Sequence, residues 1–537
     1  MKKIFFLLTL LSVMIFLTTV TFAEDIGNGK KIIYIPLDNR PVNLVQTIEV
    51  AERLGYEILV PPEIFLGSGA KPEQFGNPEE LWNWLYENAP QANAAVISTD
   101  AMLYGSLVGS RQHMLTAEEV LNRAQNFEKL RSENPNLPLY AFATIMRTPS
   151  VGMVANTDAK SYTYYYKQIF NYTVLTDKAE TDKLTNAEQK ELEQLKKEIP
   201  SYALEDWLGR RAKNYNANKY FVDLTKKGVF QYFLAGGDDG ARYSQTHLES
   251  RHLTEYAAPL GKELFQVMSG ADELGMLMIS RAINNDLHQV PSIAIGYNDG
   301  KGGETFPTFS NEKISESLEG AILSIGGIRV TNPANADLVL AVNTLPNGKT
   351  KGAGNKKNTT KPHSGIGSYM KMLKGYLKNN YPVGVVDISH SNGSDNALMK
   401  RLKNENLQFK IRSYSGWNTA TNSAGFLIGA GVLTNYMNDE DIYSLLMTRY
   451  LDDWAYQANI RTQINDGGLI WTVPGEGHAW GLGTRQEGLE KLASDLVADF
   501  AKKNIRLPRG YVLKNIQVNF PWSRTFEAEV NFDLDEN

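Results

Sequence analysis

Residues 31–40 read KIIYIPLDNR, a β-branched apolar run that stops abruptly at an acid, an amide and a cation. A strand that is apolar at successive positions, not alternate ones, is covered on both faces, as in parallel sheets flanked by helices. The same pattern recurs at Glu57–Val60, Ala94–Ser98, Leu139–Ile145, Val229–Leu234 and Leu264–Met268. It continues at Ser292–Ile295, Leu338–Val342, Val383–Ile388 and Phe409–Ser413. Helical stretches separate these runs, so the fold class is α/β: mostly parallel sheet with flanking helices, either barrel-like or doubly wound. Ten candidate strands exceed the eight of a simple barrel, which leaves a barrel and two open sheets as alternatives.

Three regions depart from the pattern. Residues 150–227 contain no convincing strand, and charge dominates between Asp177 and Ile199 while Leu192, Leu195 and Ile199 keep helical spacing. A helical insertion with a solvated face is expected there. Residues 346–365, PNGKTKGAGNKKNTTKPHSG, lack periodicity and read as a loop. Tyr511–Asp535 alternates around Phe520-Pro521-Trp522, the pattern of a β-hairpin. The expected organisation is a core of residues 24–149 and 228–440, the insertion 150–227, C-terminal helices 441–505 and a hairpin tail 506–537.

Composition narrows the function. Hydrophobic residues make up 42% of the 537 and charged residues 21%, a globular balance. With no cysteine, disulfides, thiolate metal sites and cysteine nucleophiles are excluded. A net charge of −5, with one lysine-rich loop, argues against nucleic acid as a partner. Lys2 and Lys3 precede an apolar run from Ile4 to about Val20, and Thr21 and Ala23 stand at the −3 and −1 positions of a cleavage site. A secretory leader over residues 1–23 is expected, with an uncleaved anchor as the alternative and an extracytoplasmic address either way. No stable membrane span is expected after cleavage.

Ligands of parallel α/β folds bind where the strand C-termini converge. Those ends are polar here: Asp38-Asn39-Arg40, Asp100 with Tyr104, Arg147, Asp238-Asp239, Asp272-Glu273, Asp387 with His390, Asn392 and Asp395, and Trp417-Asn418. Each has a bland reading, such as a helix cap for Asp38 or Asp100 and a salt-bridge partner for Arg40 or Arg147. Caps do not account for acids, amides and arginines at successive strand ends. The accumulation favours a site for carbohydrate or another polar small molecule.

Asp238 and Asp239 stand between glycines, which lets the backbone approach a ligand. Two adjacent carboxylates resist joint ionisation, so one pKa should rise, as glycoside cleavage requires of its acid. Asp239 is the candidate acid and Asp238 the orienting base of a substrate-assisted reaction, with Asp272 and Glu273 as further catalytic candidates. Asp38, Asn39, Arg40, Asp100, Tyr104, Arg147, Asp387, Asn392, Asp395, Trp417 and Asn418 are the substrate-binding candidates, with Trp417 or Tyr104 as the sugar platform. No cofactor is expected; a divalent metal on Asp238, Asp239, Asp272 or Asp387 is the alternative. No H-E-x-x-H, G-x-S-x-G or G-x-G-x-x-G frames a competing chemistry.

Seven motifs, IPLDNRPVN, STDAMLYGSLVGSR, AGGDDGARYSQ, SGADELGMLMISRA, YSGWNTATNSAG, RYLDDWAYQ and FPWSRTFEAE, together resemble a bacterial domain-of-unknown-function family, number 4127. The resemblance runs from about Lys31 to Phe532. It implies one integrated unit with an enzyme-like spread of polar motifs, and no particular activity. The expectation from the residues is an exported hydrolase acting on carbohydrate, most concretely a glycosidase on N-acetylated or cell-wall sugars. The alternatives are a metal-dependent hydrolase of another bond and a non-catalytic sugar-binding protein.

Overall fold

The computed structural model describes residues 26–149, 158–466 and 482–536. The leader expected over residues 1–23 lies outside them. Six parallel strands form the first sheet: β1 (Lys31–Ile35), β2 (Glu57–Leu59), β3 (Ala94–Ser98), β4 (Leu139–Ile145), β5 (Tyr232–Gly237) and β6 (Phe265–Ser269). Their spatial order is β2-β1-β3-β4-β5-β6. The second sheet contains β7 (Ser292–Tyr297), β8 (Ile328–Arg329), β9 (Leu338–Asn343), β11 (Val383–Asp387) and β13 (Ser413–Ser415). The short β10 (Lys351–Gly352) and β12 (His390–Ser391) pair beside it. Its order is β13-β11-β9-β7-β8, also wholly parallel.

Counted from its own first strand, each sheet runs 2-1-3-4-5, the first adding a sixth strand. Both keep free edges, so the fold is two open doubly wound sheets and not a closed barrel. Strands β4, β5, β9 and β11 are buried at every residue because helices cover both faces, which accounts for their unbroken apolar runs.

A helical layer joins the sheets. Helix Leu274–Asp286 packs beneath β3 and β4 and against helix Ala420–Leu433, which lies on β11 and β13. The latter is buried at all fourteen positions. Its small residues permit the approach: a Cβ on Gly425 would stand 2.5 Å from Glu273 Cγ, and one on Gly429 would stand 3.0 Å from Met276 Cγ. One apolar core therefore runs from β1 to β11.

Helices Lys160–Thr163, Tyr166–Thr181, Asn186–Glu198 and Ser201–Lys226 fill the interval between β4 and β5. Thr185 starts the third with a reciprocal pair of bonds to Glu188, and Leu195 is its buried residue. Strands β14 (Tyr511–Asn519) and β15 (Glu529–Glu536) form the C-terminal antiparallel hairpin.

Two strand expectations need correction. Phe409–Ser413 meets the sheet only at Ser413, because Phe409 turns aside to pack edge-on against Tyr443 and Tyr450. The fifth strand begins at Tyr232, not Val229, since Phe230 joins Phe127 and Phe221 in an aromatic cluster ahead of it. β8 was not expected; a two-residue exposed strand, Ile328–Arg329, is too short to form an apolar run. Among the described residues no helix is long and apolar enough to cross a membrane.

Candidate functional site

The loops after β1 and β6 are held together by one arginine. Arg40 Nε donates to Asp38 at 2.9 Å, and its Nη2 and Nη1 reach the two oxygens of Asp272 at 2.6 and 3.1 Å. Asn43 adds a 2.8 Å bond to Asp38. Asn418, from the loop after β13, donates to Asp272 at 2.7 Å. Asn39 is drawn the other way and accepts from Trp522 Nε1 at 2.8 Å. The hairpin region thus closes over the first strand end.

The neighbouring strand ends follow the same rule. Asp238 is ion-paired with Arg111, on the short helix Leu107–Gln112. Arg147 binds the buried Asp158 at 2.6 Å and faces Asp239 at 3.5 Å. Asp100 caps nothing: Ser98 takes that role for helix Thr99–Tyr104. Asp100 accepts instead from the backbone N–H and hydroxyl of Thr144 at 2.6 and 3.0 Å.

Burial, reinforced by the charge of Asp238, pushes the Asp100 carboxyl up to about 7 against the Thr144 donors and Arg111. The same two causes push Asp239 up to about 6, opposed by Arg147 and Arg111. Asp239 differs from the other acids in access. Its side chain is 28% open, against 0% for Asp38, 6% for Asp272 and 7% for Asp238, so solvent screens part of its burial cost. Its backbone has φ +39°, a left-handed conformation that aspartate tolerates better than most residues. Glu273 is fully buried against Gly270 and Gly425, and burial holds its carboxyl well above the usual range. It is closed off from any ligand, which removes it from the catalytic candidates.

Asp387, Asn392 and Asp395 belong to the second sheet's edge. Asn343 donates to both Asp387 (2.9 Å) and Asp395 (3.1 Å), Tyr414 donates to Asp387 at 2.8 Å, and His363 meets Asp395 at 2.5 Å. Asp395 also caps helix Asn396–Asn404. Burial and the neighbouring Asp395 push Asp387 up to about 7, while the bond to Asp395 raises His363 to about 9. The two edges meet at Asn418. Its carbonyl accepts from Asn392 N–H at 2.7 Å while its side chain binds Asp272.

Sequence reasoning missed the partners. Arg111, Asp158 and His363 were not singled out, nor was Asp453, which accepts from Gly416 N–H at 2.7 Å behind the Asn418 turn. Arg111 and Asp453 lie inside quoted motifs, SLVGSR and RYLDDWAYQ; nothing local marks Asp158 or His363.

A family model described as a protein of unknown function, DUF4127, matches residues 32–531. The chain belongs to that family. Neither curated proteins nor solved structures return a match. The motifs of this DUF4127 chain coincide with the geometry just described: LDNR supplies Asp38 and Arg40, GGDDG the acid pair, GADE Asp272, and GWN the bridging Asn418.

The proposed sugar platforms are corrected. Tyr104 is 7% exposed with its ring stacked on His113 at 4.6 Å, and Trp417 is 3% exposed and packs on Phe526. Neither presents an open face. Among the described residues no three His, Asp or Glu side chains are grouped to hold a metal ion. Asp238 and Asp272 turn oxygens toward guanidinium groups, and Asp387 lies on the other edge.

Proposed function

We propose that this protein is a hydrolase acting on a carbohydrate-type substrate, with Asp239 as general acid, exported by the leader read in the sequence. The observation that carries the reading is the contrast at the first sheet's edge. Several acids are closed and tied to guanidinium groups or to Thr144, while Asp239 is partly open with its carboxyl near 6. An acid poised there delivers a proton at mildly acidic to neutral pH.

In the substrate-assisted scheme, Asp239 gives its proton to the glycosidic oxygen as the bond from the anomeric carbon breaks and its electron pair passes to that oxygen. The substrate's acetamido carbonyl oxygen forms the new bond to the anomeric carbon. Water then adds to the anomeric carbon, the acetamide is released, and the water's proton returns to Asp239.

Asp239→Asn should lower turnover of unactivated aryl glycosides by ~10²–10⁴-fold, and the loss should shrink for good leaving groups. Equal losses on every substrate, together with activity abolished by chelator, would point to metal-assisted hydrolysis instead. Binding of sugar without turnover would leave a sugar-binding protein.

A further inference from the structure

Arg147 stands between two acids and is not shared equally. Its Nε and Nη2 both donate to one oxygen of Asp158, at 3.1 and 2.6 Å, while Nη1 faces Asp239 at 3.5 Å. A firm N–H···O bond is no longer than about 3.2 Å, so the edge of the guanidinium belongs to Asp158 and the contact to Asp239 is weak. Other acids of this edge are served better. Asp272 receives two nitrogens of Arg40, at 2.6 and 3.1 Å, and Asp238 is paired with Arg111. Asp239 faces an arginine that is committed elsewhere.

The insertion between β4 and β5 makes that commitment. Asp158 precedes helix Lys160–Thr163, and its side chain is fully buried. Its second oxygen accepts from the Tyr162 hydroxyl at 3.1 Å. Tyr162 in turn packs edge-on against Trp207, on helix Ser201–Lys226. The same long helix fixes the backbone of the arginine. Arg211 donates to the carbonyls of Met146 and Arg147 at 2.6 and 2.8 Å, its own charge answered by Glu249 at 2.7 Å. Side chain and backbone of Arg147 are thus both held by the insertion.

The consequence for Asp239 is electrostatic. Besides burial, the charges of Asp238 and Asp272 disfavour its ionised form, and those of Arg147 and Arg111 favour it. An arginine in close contact lowers a carboxyl pKa by about 1–3. Released from Asp158, Arg147 would bring its fork onto Asp239 and hold that carboxyl ionised, whereas a general acid must carry its proton before it acts.

We propose that Asp158 is a positioning residue of the acid site: by taking the fork of Arg147 it keeps that guanidinium from closing on Asp239. This rests on the reading of Asp239 as the general acid. It adds what keeps that acid protonated, and it gives the helical insertion a part in the site.

The test is titration of the Asp239 carboxyl by carbon-13 NMR of the aspartate-labelled protein, with Asp239→Asn identifying the resonance. Asp158→Asn should lower the midpoint from about 6 to about 4.5 or below. Asp158→Asn combined with Arg147→Met should return it to about 6 or above, since no guanidinium is left to close. A midpoint unmoved or raised by Asp158→Asn overturns the proposal. A double variant that keeps the low midpoint also overturns it, because Asp158 would then act other than through Arg147. Where Asp158→Asn does not fold, Tyr162→Phe decides: loosening Asp158 should lower the midpoint, and an unchanged midpoint overturns the proposal. A purely structural Asp158 shifts the melting temperature of its variants without moving the Asp239 midpoint. No substrate enters the measurement, so the two readings fail separately. Protein without turnover but with these midpoints keeps the positioning role, and active protein with unmoved midpoints removes it.

Discussion

The two sheets share strand order and both gather acids at their C-terminal edges, yet they neutralise them differently. On the first edge the partners are arginines: Arg40 for Asp38 and Asp272, Arg111 for Asp238, Arg147 for Asp158. On the second they are an amide, a phenol and an imidazole: Asn343, Tyr414 and His363. Guanidinium stays charged at every accessible pH, so the first edge keeps a fixed pattern of charge with Asp239 as its open acid. The second edge relies on two neutral donors and one imidazole that titrates, and its acids are closed. Topology places a polar cluster; the choice of counter-group decides whether it holds a poised acid or a buried network.

The largest expected effect comes from removing the shared cation. Arg40→Met leaves Asp38 and Asp272 buried without compensation, and should cost ~3–5 kcal/mol in urea unfolding. A loss below about 1 kcal/mol would mean that the first edge is not organised by charge.

Asn418→Ala tests the bridge between the edges. It deletes a hydrogen bond to a buried carboxylate, and a cost of ~1.5–3 kcal/mol is expected. It should also raise the pKa of Asp272, whose ionised form loses a donor. An unchanged unfolding midpoint would show that the two edges are held independently.

The smallest effect belongs to His363, and its sign is set by linkage. The bond to Asp395 raises its folded pKa to about 9, above the ~6.5 of an unfolded histidine. The stabilisation is therefore fully present below pH 6.5 and is lost as pH rises through about 9. His363→Gln should be less stable than the parent chain by ~1–2 kcal/mol at pH 6, partial exposure screening the rest, and the gap should close by pH 10. A gap that does not change with pH would assign the contact to packing alone.

How much of this was legible in the sequence differs from element to element. The buried strands were readable because two covered faces force near-continuous apolar runs, as in Leu139–Ile145 and Leu338–Val342. Their division into two sheets was not, because the same runs suit a barrel; the free edges of both sheets decide it, with helices Leu274–Asp286 and Ala420–Leu433 packed together where the sheets join. Asp38, Arg40, Asp272 and Asn418 touch because parallel topology aims strand ends at one edge, a rule that can be applied to the sequence. Glu273, Tyr104 and Trp417 were misread because position in the chain does not report exposure. Asp158 and His363 stayed hidden because each acts across long stretches of structure that no local spacing records.

That Asp239 is the poised, accessible acid of an arginine-fixed edge is open to direct measurement. Its carboxyl can be titrated directly by carbon-13 NMR of aspartate-labelled protein, with the Asp239→Asn spectrum identifying the resonance. A midpoint near pH 6 is expected, rising further when Arg147→Met removes the opposing charge. A midpoint at or below 4, the ordinary aspartate value, would contradict the claim.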